Sequence, residues 1–224
     1  MIVPPKKRVA IIDYELGNMF SVKKTFDIVG VEAIITNDIS VLMNSDAAIL
    51  PGVGAFGDAM KNLHRLDLVE PIKDFIQSSK QFFGVCLGLQ LLFSESEEFG
   101  AHGGLGIIEG TVKKFQRDDI KFKVPQIGWN YARRASLVSN KTWNDSPLHN
   151  IDTTQRMYFV HSFYVIPSNT TTILTQTTYE GIDYCSSIFM DNVYASQFHP
   201  EKSSDEGLKI YKNWTNKITE TKEV

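Results

Sequence analysis

Cys86 stands in the stretch FFGVCLGLQLL (residues 82–92), with Gly84 two residues before it and Gly88 two residues after. An apolar strand entering an apolar helix through a glycine-flanked joint has the form G-x-nucleophile-x-G. Small residues on both sides let strand and helix approach without Cβ clashes, so the joint can hold a reactive side chain above the carboxyl end of a sheet. There the sulfur would lie at a helix N-terminus, whose dipole favours the thiolate, and the Leu87 N–H would be free to meet an oxyanion. The competing reading is structural, because free cysteine is among the most buried residue types. Cys185, in YCSSIF without flanking glycines, keeps that structural reading.

A nucleophile of this kind needs a base. Of the five histidines, His199 has the most ordered setting, in YASQFHPEKSS (194–204). Residues two apart in extended backbone point the same way, so His199 and Glu201 share a side, and Pro200 limits the freedom between them. A carboxylate beside an imidazole fixes its tautomer and stabilises its cation, which completes a nucleophile–base–acid set. His-x-Glu alone fits a solvated loop equally well; beside an elbow cysteine it points to covalent catalysis.

A third stretch, PGVGAFGDAM (51–60), matches G-x-G-x-x-G over Gly52–Gly57, the dinucleotide-binding fingerprint. It follows the third strand-like run rather than the first, and the position about twenty residues on is Gln77 in a helical segment, not an acidic strand end. The alternative is that this glycine backbone offers an N–H to the same reaction centre as Leu87.

The elements that must position these groups follow from hydrophobic periodicity. Arg8–Ile12, Glu32–Ile35, Ala47–Leu50 and Phe82–Val85 read as strands, and Asn18–Val29, Ala55–His64, Leu68–Ser79 and Leu87–Ser94 as helices. The first helix is expected to bury a stripe of Phe20, Val22, Phe26 and Val29. Continuous apolar strands alternating with helices predict a parallel sheet covered on both faces. Beyond residue 106 the stretches GIIEGTVKKF, MYFVHSFYVI, TTILTQTT, CSSIFM and NVYASQF are β-rich and separated by turn residues. They predict an antiparallel or mixed portion at the edge of the sheet. A closing helix near Ser204–Ile218 carries Ser203 and Glu206 at capping-box spacing. Residues 1–224 read as one α/β domain.

Composition narrows the partners. A net charge of −3 over 224 residues argues against a nucleic-acid face or an anionic membrane surface. No run approaches the ~18 apolar residues of a membrane span, and the start, MIVPPKKRVAIID, has no cleavable apolar region. Two cysteines are too few for a disulfide scaffold, so a cytoplasmic, reduced protein is expected.

PGVGAFG, GVCLGLQLLF and QFHPEKS, in this order, resemble the class I, or triad, glutamine amidotransferases. IIDYELGNMFSV, FSESEE, VPQIGWN and YFVHSFY narrow the resemblance to the glutaminase subunits of imidazole glycerol phosphate synthases, along nearly the whole chain. The resemblance implies an α/β fold with a mostly parallel central sheet flanked by helices and an additional antiparallel or mixed portion. It implies L-glutamine as substrate, Cys86 as nucleophile, His199 as general base and acid, and Glu201 as the residue orienting it. Gly52, Val53 and Leu87 would supply the oxyanion hole; Gln90, Glu98, His161, Ser162 and Phe163 would hold the substrate. No metal or organic cofactor is implied. The implied partner is a (β/α)8-barrel synthase subunit, in a heterodimer, that consumes the ammonia in histidine biosynthesis.

Bland readings stay open for the pocket residues: Gln90 as a polar helix position, Glu98 as part of the solvated run Glu95–Glu98, His161 as a satisfied structural histidine. Two positions depart from the family pattern, Glu15 where glycine is usual and Gln126 where histidine is usual. Gln126 and GLKIYKNW also resemble a second-copy subset that feeds amidine formation on surface or flagellar sugars. Readings of other classes are a non-catalytic partner-binding subunit, and a related peptidase or γ-glutamyl hydrolase acting without a barrel.

Overall fold

The continuous apolar runs of the first half form parallel strands, as their lack of a polar face requires. In the computed structural model, which describes residues 7–117, 121–152 and 154–218, β1 (Arg8–Ile12) leads through α1 (Met19–Val29) to β2 (Glu32–Thr36) and α2 (Ile39–Met43). Next come β3 (Ala47–Gly52), α3 (Phe56–Arg65), α4 (Val69–Gln77), β4 (Gln81–Cys86) and α5 (Leu87–Leu91). The chain continues through β5 (Phe93–Ser96), β6 (His102–Gly103), β7 (Ile108–Lys114), β8 (Gln126–Tyr131), β9 (Arg133–Arg134) and α6 (Asn140–Asp145). It closes with β10 (Arg156–His161), β11 (Phe163–Pro167), β12 (Ile173–Tyr179), β13 (Ile182–Met190), β14 (Val193–Ser196) and α7 (Ser204–Asn216). Residues 1–6, whose sequence bears on a leader segment, lie outside the described residues.

The main sheet has the order β2-β1-β3-β4-β14-β13-β11-β7-β5-β6, with β12 pairing β13 and β9, while β8 and β10 form a separate antiparallel pair. β2, β1, β3, β4 and β14 are mutually parallel. Alternate residues of these strands enter two cores on opposite faces. Ala10, Ile12, Ala48, Leu50 and Phe82 pack with Phe56, Leu63 and Ile72 of α3 and α4. Val9, Ile11, Ile49, Phe83 and Val85 pack with Val22 and Phe26 of α1 and Tyr211 and Trp214 of α7. Among the described residues no helix is long and apolar enough to cross a membrane.

Four expectations are corrected. β14 does not lie at an edge: it is fully buried and inserted beside β4 at the centre of the sheet, so the parallel and antiparallel portions are continuous. α5 ends at Leu91 rather than Ser94, because Phe93–Ser96 turns away to pair with β7. In α1, Phe20 is 81% exposed; the buried face is Met19, Val22, Thr25 and Phe26, one residue round the helix from the expected start. Ser203 makes no side-chain cap to α7. Its hydroxyl instead donates to the His199 carbonyl at 2.7 Å and accepts from Tyr158 N–H at 3.0 Å.

Candidate active site

Strand register brings the three sequence motifs to one place. β3 pairs with β4 so that Leu50 faces Gly84 and Gly52 faces Cys86. β14 pairs on the other side, Ser196 opposite Val85, three residues before His199. The glycine backbone, the cysteine and the histidine thus leave the carboxyl ends of three neighbouring parallel strands, where open α/β sheets bind ligands.

The elbow is as tight as its glycines indicate. Cys86 has φ 55° and ψ −105°, a strained conformation for a non-glycine residue that costs ~1–3 kcal/mol and persists only where packing dictates it. A Cβ on Gly88 would fall 1.8 Å from the Leu50 carbonyl oxygen, and one on Gly84 3.0 Å from the Gly88 carbonyl. Helix and strand could not meet with larger residues there. Because α5 has only five residues, its macrodipole is small, and what it offers an anion is first-turn N–H groups that lack intrahelical partners.

His199 is held from several directions. Its N–H donates to the Tyr158 carbonyl at 2.9 Å, and Ser203 holds its carbonyl. Nδ1 lies 2.7 Å from Glu201 Oε1, with both side chains only 3% exposed. Nε2 makes no well-aligned hydrogen bond among the described residues, yet it lies within electrostatic range of Cys86. Burial pushes the His199 pKa down, but the charge of Cys86 and the hydrogen-bonded Glu201 carboxylate outweigh it and raise the pKa to about 10. Long catalytic hydrogen bonds are common before substrate binds.

A cleft of about 260 Å³ opens over the sulfur, with Cys86, Leu87 and Gln90 from the elbow and Val53 from the end of β3 in its lining. Glu98, His161, Ser162 and Phe163 line it as well, whereas Gly52, His199 and Glu201 do not. Gln90 is no exposed helix position: it is buried, and its Nε2 donates to the Phe163 carbonyl and to Gln197 Oε1, both at 3.0 Å. Glu98 is buried between exposed neighbours, and its Oε2 accepts from Phe56 N–H at 2.7 Å, capping α3. Burial raises its pKa, against the Phe56 N–H and His102, which lower it, while Asp58 adds to the rise.

His161 is fixed and neutral. Its Nδ1–H donates to the Phe163 carbonyl at 2.7 Å and Nε2 lies 3.3 Å from the Tyr184 hydroxyl, which donates at 3.0 Å to Gln126 Oε1. Burial drives its pKa down to about 3, against the Phe163 hydrogen bond and helped by His199. Cys185 is buried, its Sγ 3.5 Å from the Ser187 carbonyl, and burial raises its thiol pKa.

Sequence reasoning missed Gly54, Pro125 and Val160 in the cleft lining, and Gln197, whose Nε2 donates to Cys86 Sγ at 3.6 Å. The signal for Gln197 was present: it precedes His199 by two, the same same-side spacing that linked His199 to Glu201.

A family model described as glutamine amidotransferase class-I matches residues 10–218. The imidazole glycerol phosphate synthase subunit HisH of Syntrophotalea carbinolica is 44% identical over 92% of this chain and 98% of its own length. The subunit of the same name from Aquifex aeolicus is 45% identical over 94% and 97%. Among solved structures, a chain of PurLQS from Thermotoga maritima superposes with a TM-score of 0.72 at 19% identity, covering 96% of this chain and 100% of that one. The glutaminase domain of Trypanosoma brucei CTPS, solved with bound acivicin, superposes with a TM-score of 0.57 at 15% identity over 95% of each chain.

Proposed function

The chain belongs to the class I glutamine amidotransferases, and from that membership we propose that it hydrolyses L-glutamine at Cys86 and passes the ammonia to a synthase subunit that forms imidazole glycerol phosphate in histidine biosynthesis. The observation that carries the assignment of residues is the strand register: Gly52 beside Cys86, and the strand leading to the paired His199 and Glu201 on the other side.

In this reading the Cys86 sulfur attacks the side-chain amide carbon, its proton held by His199. The developing oxyanion meets the Leu87 N–H and the backbone of Gly52 and Val53. A protonated His199, favoured at neutral pH by its neighbours, gives its proton to the departing ammonia and leaves a glutamyl thioester. His199 then takes a proton from water, whose attack releases glutamate and restores the thiol. Glu201 keeps the imidazole oriented and balances its charge. Glu98 and Gln90 hold the glutamine's polar groups, Glu98 as the acceptor for its ammonium.

Ammonia released into neutral water is protonated and no longer nucleophilic, so direct transfer to a partner is required. Val53, Ile127 and Trp129 are 41%, 55% and 50% exposed. Val53 lines the cleft, and Ile127 and Trp129 lie two and four residues beyond the cleft residue Pro125. Exposed apolar surface of this kind supports a docked partner over the cleft, for which we propose a (β/α)8-barrel. The test is glutamine hydrolysis with and without the synthase subunit. Glutamate formation that is low alone and rises with the partner is expected, and a fast partner-free hydrolysis would contradict the reading.

A further inference from the structure

Gln197 stands between the end of β14 and His199 and is fully buried. Its backbone N–H donates to the Ser186 carbonyl of β13 at 2.9 Å, which fixes the root of its side chain. Gln197 does not line the cleft. Its Nε2, 3.6 Å from Cys86 Sγ, therefore meets the sulfur from inside the protein and leaves the cleft side to the substrate. That separation is long for an N–H to oxygen, but sulfur is the larger atom.

Which end of the amide faces the sulfur follows from a series of forced pairings. The two ends of a side-chain amide look alike in shape, so the surrounding hydrogen bonds must assign them. The Phe163 carbonyl can only accept, and it lies 3.0 Å from Gln90, so that end of Gln90 is Nε2. The same Nε2 lies 3.0 Å from Gln197, which makes the facing Gln197 atom Oε1. Gln197 Nε2 is thereby turned to the sulfur. The second lone pair of the Phe163 carbonyl takes the His161 Nδ1–H at 2.7 Å, so this anchor is held by two donors.

An amide N–H gains little from a thiol, whose sulfur is a weak acceptor, and more from a thiolate. We propose that Gln197 is a further catalytic residue, a second donor that, beside His199, steadies the negative charge on the Cys86 sulfur; the role rests on the glutaminase reading above. When the thiol proton passes to His199, the charge left on sulfur strengthens the Gln197 contact without any side chain having to move. Once the carbon–sulfur bond forms, the sulfur is neutral and the contact weakens. It strengthens again when the thioester breaks and the thiolate leaves. Gln90 acts through Gln197 as a positioning residue and, with both amide hydrogens committed, offers the substrate only its Oε1.

The test is the pH dependence of Cys86 alkylation by iodoacetamide in the full chain with the synthase subunit present, read by peptide mass spectrometry. Gln197→Met nearly keeps the volume and removes the donor. Its half-maximal rate is expected about one pH unit above that of wild type, a roughly tenfold loss of thiolate below that point. The plateau rate is expected to hold or rise, because a more basic thiolate is the better nucleophile. The acid limb of glutaminase kcat/KM is expected to move with the midpoint. Gln90→Leu, which frees the Gln197 amide to turn, is expected to give a smaller shift in the same direction. In the wild type, the Gln197 side-chain amide protons, followed by NMR, are expected to shift with the same midpoint as the alkylation rate and to lose that step in Cys86→Ala. A Gln197→Met midpoint within about 0.3 unit of wild type, or a lowered plateau at an unchanged midpoint, would overturn the proposal. If that variant does not fold, wild-type amide protons without such a step would overturn it. A wild-type chain whose Cys86 is alkylated but which hydrolyses no glutamine removes the glutaminase reading instead, and leaves only the pairing of amide and sulfur.

Discussion

The strand ends around β4 and the wall built by β10 and β11 each contain a buried histidine, His199 at 3% exposure and His161 at 6%. Burial disfavours the charged form of both. His199 has the Glu201 carboxylate on one side and the Cys86 sulfur on the other, and its pKa rises to about 10. His161 faces a carbonyl and a tyrosine hydroxyl, neither of them charged, and its pKa falls to about 3. The acidic partners, rather than depth, set the proposed proton carrier apart from a wall residue. Two buried histidines, one lining the cleft and one outside its lining, can therefore serve opposite purposes.

The sharpest way to break this comparison is substitution. His199→Asn, like Cys86→Ala, is expected to lower glutaminase kcat by about 10⁴-fold or more, and Glu201→Gln by roughly 10²–10⁴-fold. His161→Asn is expected to cost only about tenfold, chiefly in KM, since it holds no proton that moves. Steady-state kinetics with the partner present checks all four. Equal losses at His161 and His199 would erase the distinction.

Stability against pH sharpens it further. His199 has its pKa raised on folding, so its contribution is fully present below about pH 6.5, the unfolded value. It is lost as pH rises through about 10. His161 has its pKa lowered, so its contribution is intact above about pH 6.5 and is lost as pH falls toward about 3. Urea unfolding over this range is expected to show both limbs. Glu201→Gln should flatten the alkaline one and His161→Phe the acid one. The smallest effect is expected at Ser203→Ala, which removes two hydrogen bonds around His199 and should cost about 1–2 kcal/mol of unfolding free energy.

Much of the site was legible because its chemistry is local. Glycines at fixed offsets from Cys86 answer to a steric demand within one strand–helix joint, and His199 and Glu201 lie on one short extended segment. What was hidden depends on pairing across long separations. Nothing in NVYASQF marks it as the strand that will enter beside β4, since a short buried strand looks alike at an edge or a centre. The early end of α5 reflects the pairing of Phe93–Ser96 with β7, which overrides an apolar run suited to a longer helix. Ser203 had a helix-cap spacing, and a tertiary demand at His199 claimed its hydroxyl instead. Glu15, where the family resemblance leads to an expected glycine, adopts φ 67° and pairs with Arg65 of α3. The departure thus marks a left-handed position that glycine would occupy without strain.

The central claim is that Cys86, and not the equally buried Cys185, carries the acyl intermediate. Acid quenching during turnover of isotopically labelled glutamine, followed by peptide mass spectrometry, reads this directly. The account predicts a glutamyl thioester on the peptide containing Cys86, absent from Cys86→Ala and scarce in His199→Asn. Label on Cys185, or rapid hydrolysis with neither cysteine ever acylated, would contradict it.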